Sequence, residues 1–270
     1  MQSNEQRDRV KQIGAAAALL ALAGCGRSGA QVPPKPLIEG EITAAKALQL
    51  LYGNYDQQQK QSKQGEKYVM RLDEREVMMD GKRQYILFTV SNGYGLITCP
   101  LPCLGTMGIA MFEQQGKNWV LQVNQPKLCK DCDSNGDVVH GPSWQTIQWG
   151  EHAFGLLLTE DPGGCGYSAR IQTLYGLAND GFQKIFKVKL FDSFIPGGCT
   201  PIEEPYNWEA DLDFVPPGQN GHYDVEVTMT SKPSKKRLKD DLSIPAPGVY
   251  RYDGKTYRHV GTQLPLGEGN

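Results

Sequence analysis

Six cysteines lie beyond the first thirty residues of the chain, and they are Cys99, Cys103, Cys129, Cys132, Cys165 and Cys199. Three residues separate the first two and two residues separate the next two, so these four thiolates could bind a zinc ion tetrahedrally. The same thiols could instead form disulfide bonds. A redox function is disfavoured for the second pair, because no βαβ pattern surrounds it.

A short run of oxygen-bearing side chains overlaps the second cysteine pair, and it consists of Asp131, Asp133 and Asn135. Oxygens at alternating positions can converge on a hard cation, and Gly136 permits the tight turn that such a loop needs. The spacing resembles the start of an EF-hand loop, although Pro142 stands where that loop has its bidentate glutamate. An ordinary polar turn is the preferred interpretation, and calcium is the alternative. No other cofactor is expected.

A basic run follows late in the chain, with residues Lys232, Lys235, Lys236, Arg237 and Lys239. A solvated loop is the simplest interpretation. Loops on a rigid β scaffold nevertheless carry many binding sites. The alternative prediction is therefore that these residues contact an anionic partner, such as an acidic protein, a lipid headgroup or an acidic glycan.

No catalytic set emerges from the remaining polar residues. The four histidines are not at metal-binding spacing, and no nucleophile elbow occurs. A carboxylate pair for glycoside chemistry could come from Glu203, Glu204, Glu209, Asp211 and Asp213, but alternation along one strand is equally typical of a solvated face. A non-enzymatic protein is expected, and a hydrolase with an unrecognised site remains an alternative.

The N-terminus predicts where the protein acts. Ile13–Ala23 is an uninterrupted run of eleven small and apolar residues, which has the size of a signal-peptide core and is too short to span a bilayer. It ends in Leu22-Ala23-Gly24-Cys25, which resembles the lipobox of bacterial lipoproteins. The resemblance implies cleavage after residue 24 and acylation of Cys25, which would anchor the protein stably to a membrane.

The expected location is the outer membrane, facing the periplasm. In enterobacterial lipoproteins an Asp after the acylated cysteine favours retention in the inner membrane, and Gly26 stands there in this chain. An oxidising compartment and an even number of remaining cysteines favour disulfides over zinc, with Cys165 pairing with Cys199 and the other four among themselves. Loss of the leader changes the formal net charge from −2 to −3, so no basic field for nucleic acid remains.

Residues 25–66 are expected to connect the lipid anchor to the folded domain. Gly26–Pro36 is rich in Gly, Ser, Gln and Pro and predicts an extended spacer. Glu39–Tyr52 has apolar residues at helical spacing, with Thr43 near its start. Gln57–Gln64 is polar low-complexity sequence and is predicted to be a mobile connector.

Residues 67–270 are predicted to form a mainly β domain tied by disulfides. Turn signals at Asp80-Gly81 and Asp253-Gly254 indicate type I′ hairpins. The strand pattern repeats as three four-stranded antiparallel meanders over residues 67–125, 144–192 and 206–261. These units resemble the blades of FG-GAP or VCBS-type propellers in strand pattern, which implies blade-like modules whose long loops share one end.

These observations together predict a membrane-anchored envelope lipoprotein with a binding or scaffolding role. A carbohydrate- or peptidoglycan-binding lectin-like module is the alternative. Aromatic side chains gathered beside acids on one loop face would favour the glycan interpretation. A buried carboxylate pair with shifted pKa values would favour the hydrolase.

Overall fold

The computed structural model describes residues 35–92, 106–128, 143–164, 166–179, 181–195, 205–216, 220–231 and 244–261. Over this part of the chain there are one helix and sixteen strands, which form two antiparallel sheets. The predicted mainly β class, with one N-terminal helix, is confirmed. Within the described residues, no helix is both long and apolar enough to cross a membrane.

The first sheet has seven strands in the order β1-β7-β6-β5-β4-β3-β2. Their bounds are β1 Leu37–Glu39, β2 Tyr55–Asp56, β3 Gln61–Gln64, β4 Lys67–Met79, β5 Lys82–Asn92, β6 Thr106–Gln115 and β7 Asn118–Gln125. Strands β2 to β7 form a meander. The short strand β1 pairs with β7 and forms the edge of the sheet opposite β2.

The second sheet has nine strands, eight of which follow the order β16-β15-β14-β13-β12-β11-β9-β8, while β10 pairs with β11. Their bounds are β8 Ser143–Gln148, β9 Phe154–Glu160, β10 Gly163–Gly164, β11 Tyr167–Ala178, β12 Gly181–Phe194, β13 Tyr206–Val215, β14 Asp224–Ser231, β15 Gly248–Tyr252 and β16 Tyr257–Gly261.

The prediction of three separate units is not confirmed. Each predicted range does contain four of the longer strands. However, β12 pairs with β13 through Phe191–Phe194 and Tyr206–Glu209, so the second and third ranges belong to one continuous sheet.

Helix α1 spans Ala44–Tyr52 and is shorter than predicted. Thr43 is its N-cap, because the Thr43 hydroxyl accepts a hydrogen bond from the backbone N–H of Lys46 at 3.3 Å. Of the predicted first turn, Glu39 belongs to β1, and residues 40–43 precede the helix. Ala47 and Leu48 are fully buried and pack against the face of the first sheet that carries Phe112.

The connector predicted at Gln57–Gln64 is wrong in its second half. Gln61–Gln64 is strand β3 and pairs with both β2 and β4. Ser62 is fully buried, and its hydroxyl donates to the backbone carbonyl of Leu48 at 3.4 Å. The buried side chains of this strand are an amide and a hydroxyl, so apolar and polar residues do not alternate along it. A prediction based on hydrophobic periodicity therefore does not detect it.

Only one of the two predicted type I′ turns is present. Asp80 and Gly81 have φ of 51° and 69°, as a type I′ turn requires. Tyr252 pairs with Tyr257, so the second hairpin has a four-residue loop. There the Asp253 carboxylate accepts from the backbone N–H groups of Lys255 at 2.9 Å and Thr256 at 2.8 Å, which stabilises an Asx-type turn instead.

The two sheets share a hydrophobic core. Ile86, Phe88 and Met111 of the first sheet contact Trp144 and Phe182 of the second, and the rings of Phe88 and Trp144 lie 4.8 Å apart. Fully burying a side chain of this kind stabilises a fold by roughly 1.5–3 kcal/mol. The second sheet also curls into a half-barrel around a core of its own, which includes Trp208 and Val225.

Candidate functional site

Two β-bulges give strand β12 an irregular edge. Lys184 pairs with Tyr175 and Phe186 with Leu174, which leaves Ile185 as an extra residue. Leu190 is extra in the same way, because Lys189 pairs with Ile171 and Phe191 pairs with Arg170. Bulges bend a strand and increase its local twist. The strand is therefore bent at the point where its pairing with β13 begins.

The pairing of β12 with the neighbouring strand β13 ends next to the second bulge. The β12–β13 ladder ends at the pair Phe191–Glu209. On the other side of β13, Glu209 pairs with Ser231 and Ala210 with Met229, so Thr230 is an extra residue in β14. Beyond this level β13 continues along β14 only. The edge of β12 before Phe191 is thus separated from β13.

A groove of about 470 Å³ lies along this separated edge. The side chains of Ile171, Phe186 and Val188 line it from β11 and β12, and those of Ile244 and Tyr250 line it from the segment that leads into β15. We call this the β12 groove. Its volume falls within the range of about 300–1,000 Å³ that is typical of small-molecule sites.

Tyr250 fixes the far wall of the β12 groove. Its hydroxyl donates to the backbone carbonyl of Ala246 at 2.8 Å, and its ring meets the Phe186 ring edge-on at 5.2 Å. Burial raises the pKa of the Tyr250 phenol, although the hydrogen bond to Ala246 partly offsets this. The hydroxyl therefore stays protonated and keeps its role as a donor at neutral pH.

The hairpin of β15 and β16 is held against the open edge of β12 by a separate contact. The Thr256 hydroxyl donates to the backbone carbonyl of Ile185 at 2.7 Å. That carbonyl belongs to the extra residue of the first bulge, and Tyr257 packs edge-on against the neighbouring Phe186 at 5.6 Å.

Two lysines of β12 are among the residues that line the β12 groove. Lys189 is largely buried and binds Asp192 at 3.0 Å, while the other Asp192 oxygen accepts from the Tyr206 hydroxyl at 3.3 Å. Only 2% of the Asp192 side chain is exposed, so this ion pair is a structural part of the wall. Lys187 is exposed and has no acidic partner within the described ranges.

A cluster of aromatic rings closes one end of the half-barrel. Trp149 stacks on His222 at 4.5 Å and meets Tyr252 edge-on at 5.0 Å. The backbone N–H of Tyr223 donates to the Trp149 carbonyl at 2.8 Å, so the segment after β8 is tied to the start of β14. Trp149 and Tyr257 are buried, and these rings pack on one another instead of presenting free faces to a sugar.

The residues named in the sequence analysis fall largely outside the described ranges. This applies to the lipidation site Cys25, to the cysteines Cys99, Cys103, Cys129, Cys132, Cys165 and Cys199, to the calcium candidates Asp131, Asp133 and Asn135, and to the basic run Lys232, Lys235, Lys236, Arg237 and Lys239. These predictions are neither confirmed nor contradicted. Among the residues that the structure does describe, no cluster of three or more potential metal ligands occurs.

Among the carboxylates considered for glycoside chemistry, Glu203 and Glu204 lie outside the described residues, and the three that are described do not form a site. Glu209, Asp211 and Asp213 lie on the exposed face of β13, while Trp208 and Ala210 point into the half-barrel. In the part of the chain described, the carboxyl groups with a shifted pKa are Glu113 and Asp253, and both pKa values are lowered. A general acid would need a raised pKa.

The sequence analysis did not single out the residues of the β12 groove, although the sequence of β12 contains a weak indication of them. Lys184–Leu190 reads KIFKVKL, in which lysines interrupt an apolar run. Such a run is typical of an exposed strand face. The bulges that place Lys187 and Lys189 at a groove leave no mark in the sequence.

Comparison of the chain with known protein families, with curated proteins and with solved structures finds no match.

Proposed function

We propose that this chain is an envelope lipoprotein that acts by binding, without catalysis, and that the β12 groove is its binding site. The lipid on Cys25 would hold the domain at the outer membrane, facing the periplasm. The eleven-residue apolar run and Leu22-Ala23-Gly24-Cys25 support acylation of that residue.

The observation that carries the binding role is the early end of the β12–β13 ladder. Pairing between these strands covers Phe191–Phe194 alone, although β12 extends back to Gly181. An uninterrupted sheet would bury this edge. The break instead leaves a concave surface whose walls combine apolar side chains with lysines, which is the usual composition of a ligand site.

Three further features belong to the same proposal. The six later cysteines would form disulfides, the three meander ranges would be structural repeats, and the basic run Lys232–Lys239 would lie in a loop that contacts an anionic envelope partner. A calcium ion at Asp131, Asp133 and Asn135 remains a lesser alternative. None of these features is needed for the β12 groove to bind a ligand.

Photocrosslinking in cells tests the binding role. The full chain would carry the photoreactive amino acid benzoylphenylalanine in place of Ile171, which lines the groove. A matched control would carry it in place of Asp211, which is exposed on the outer face of β13. After irradiation, intact mass would separate small adducts from protein adducts, and peptide mapping would locate them.

We expect adducts from the Ile171 position and none from the Asp211 position. The absence of groove-specific adducts in correctly localised protein would contradict the binding role. Localisation is read separately: Cys25→Ser should abolish acylation and membrane fractionation. Normal maturation of that variant would contradict the lipoprotein assignment.

A further inference from the structure

We infer that the ligand of the β12 groove is an extended peptide segment of a partner protein, which pairs with the open edge of β12 and carries an acidic side chain opposite Lys187. This inference rests on the binding role proposed above and adds the chemical class of the ligand. It follows from the main-chain groups that face the groove, from the contacts already made on the same edge, and from the width of the groove.

The β12 groove runs along a main-chain edge. Four consecutive residues of β12, residues 186–189, line it. Side chains alternate between the two faces of a strand, and Phe186 and Val188 are buried on one face while Lys187 is exposed on the other. The part that these residues present to the groove in common is therefore their backbone.

The peptide groups of Lys187 and Lys189 face the groove. The Ile185 carbonyl points to this edge, since it accepts from the Thr256 hydroxyl. Pairing with β11 is regular from Phe186 to Lys189, and successive peptide groups of an extended strand point to opposite edges. The N–H and C=O groups of Lys187 and Lys189 therefore point away from β11, to the side where they pair with none of the described strands.

Two side chains already act as strand-like partners farther back on the same edge. The Gln125 amide bonds to the N–H of Phe182 at 3.0 Å and to its C=O at 2.9 Å, and Thr256 bonds to the Ile185 carbonyl at 2.7 Å. The groove begins where these contacts end. A ligand that continues them needs donors and acceptors about 6.6 Å apart, which is the two-residue repeat of an extended peptide.

The β12 groove is wide enough for one added strand. Four residues of a strand extend about 13 Å, at about 3.3 Å per residue. A volume of about 470 Å³ spread along that length gives a channel about 6 Å across, which exceeds the spacing of about 4.8 Å between paired strands. Addition of a strand to an exposed sheet edge is a recurring mode of peptide recognition.

Lys187 selects the side chain that lies opposite it. Its own side chain is exposed and has no acidic partner in the described part of the chain, whereas Lys189 is bound to Asp192 at 3.0 Å. Opposite charges on directly paired residues stabilise neighbouring strands. An acidic residue opposite Lys187 therefore sets the register of the peptide.

The test uses the full chain in nanodiscs of a neutral phospholipid, and the probe is the fluorescein-labelled peptide amide Thr-Val-Glu-Val-Thr. Two further peptides carry one backbone N-methyl group each, either on Glu or on the Val that follows it. These two N–H groups point to opposite edges of an extended peptide, so only one of them can donate to β12. By fluorescence anisotropy the two methylated peptides should differ in affinity at least about tenfold, because only one has lost an interstrand hydrogen bond.

The charge is tested by a double-mutant cycle. Replacing Glu by Gln in the probe should weaken binding to the wild-type chain about two- to fivefold, as for an exposed ion pair. The same replacement should not affect binding to Lys187→Gln. The matched control is Lys184→Gln, because Lys184 is also exposed on β12 but does not line the groove, and this variant should behave as wild type.

Hydrogen exchange locates the bound peptide. The probe should slow exchange of the Lys187 and Lys189 amides, which point into the groove. It should leave the amides of Phe186 and Val188 unchanged, because those point to β11.

Absence of probe binding, equal affinities of the two methylated peptides, or no protection of the Lys187 and Lys189 amides would overturn strand pairing. An equal effect of the Glu-to-Gln replacement on wild type and on Lys187→Gln would overturn the acidic assignment. Photoadducts at Ile171 that contain a small molecule, or that join two copies of this chain, would also overturn the inference. In those cases a ligand still occupies the groove and the binding role proposed above stands, so the two proposals fail separately.

Discussion

The side-chain amide of Gln125 forms two hydrogen bonds with the backbone of Phe182. Its Nε2 donates to the Phe182 carbonyl at 2.9 Å, and its Oε1 accepts from the Phe182 N–H at 3.0 Å. One side chain thus pairs with a peptide group as a neighbouring strand would. Because Gln125 ends β7 and Phe182 begins β12, this contact joins the two sheets at the edge of their shared core.

Replacing Gln125 should therefore destabilise the whole domain. In Gln125→Met the buried N–H and carbonyl of Phe182 lose their partners, which should cost about 2–4 kcal/mol of unfolding free energy. Gln115→Met is the control, because Gln115 is exposed at the end of β6, and its loss should cost less than about 0.5 kcal/mol. Urea unfolding measures both, and equal stabilities would show that the Gln125 contact contributes nothing.

The buried ion pair between Lys189 and Asp192 should show strong coupling. Lys189→Met leaves the Asp192 carboxylate with Tyr206 as its partner among the described residues, and Asp192→Leu leaves a largely buried ammonium without its counter-charge. Each single change should destabilise the domain by roughly 2–4 kcal/mol. The double variant should be more stable than the sum of the two losses indicates. Additive losses in a double-mutant cycle would rule out the coupling.

The Asp253 turn predicts a specific dependence on pH. The Thr256 backbone N–H, the Arg258 side chain and the Lys255 backbone N–H lower the pKa of the Asp253 carboxyl to about 2. An unfolded aspartate has a pKa of about 3.9, so the carboxylate stabilises the fold above that pH. This contribution should disappear as the pH falls toward about 2.

Thermal unfolding between pH 2 and 5 checks this assignment. The wild-type melting temperature should fall along this range more steeply than that of Asp253→Asn, in which the titrating group is absent. Asp161→Asn provides a control for an exposed ion pair, since Asp161 binds Arg170 at the surface. Parallel pH profiles for wild type and Asp253→Asn would refute the role of this carboxylate.

The sequence predicted the elements whose pattern follows from simple periodicity. Trp208, Ala210, Leu212 and Phe214 alternate with acids, and β13 is present with the acids outside. Thr43 marked the start of the helix because an N-cap needs a side-chain oxygen. These signals are local, so one sequence is sufficient to detect them.

The features that form the candidate site depend on pairing between distant strands. Ile185 and Leu190 are extra residues only in relation to the pairing of their neighbours with β11. The point where the β12–β13 ladder ends likewise depends on residues from two strands. Strand β3 was missed for a different reason, since it buries Ser62 and Gln61 in place of apolar side chains. Periodicity in one strand carries no information on either point.

The cysteine prediction stands and has a direct test. If Cys99, Cys103, Cys129, Cys132, Cys165 and Cys199 are all oxidised, alkylation of unreduced protein purified from the periplasm should add no mass. A Cys165–Cys199 bridge would stabilise the domain by roughly 3–4 kcal/mol in the chain-entropy model, and reduction should lower the unfolding midpoint accordingly. Several labelled thiols together with bound zinc would favour the alternative metal site.

Thr256 should control how firmly the β15–β16 hairpin closes against β12. Its hydroxyl donates to the Ile185 carbonyl at 2.7 Å, across an edge of β12 that pairs with none of the described strands at this level. Thr256→Val keeps the shape of the side chain and removes this donor, while the backbone N–H of residue 256 can still bind Asp253. We expect a loss of about 1–2 kcal/mol in unfolding free energy.

The same substitution should loosen the hairpin locally, which distinguishes it from a general loss of stability. Hydrogen exchange in Thr256→Val should increase most for the amides of Gly248–Tyr252 and Tyr257–Gly261, because local opening exposes the least firmly held element first. The control is Thr228→Val on the exposed face of β14, which should change neither exchange nor stability appreciably. Exchange that increases uniformly across both sheets would indicate that the Thr256 contact stabilises the fold as a whole, and would contradict a specific role in closing the β12 groove.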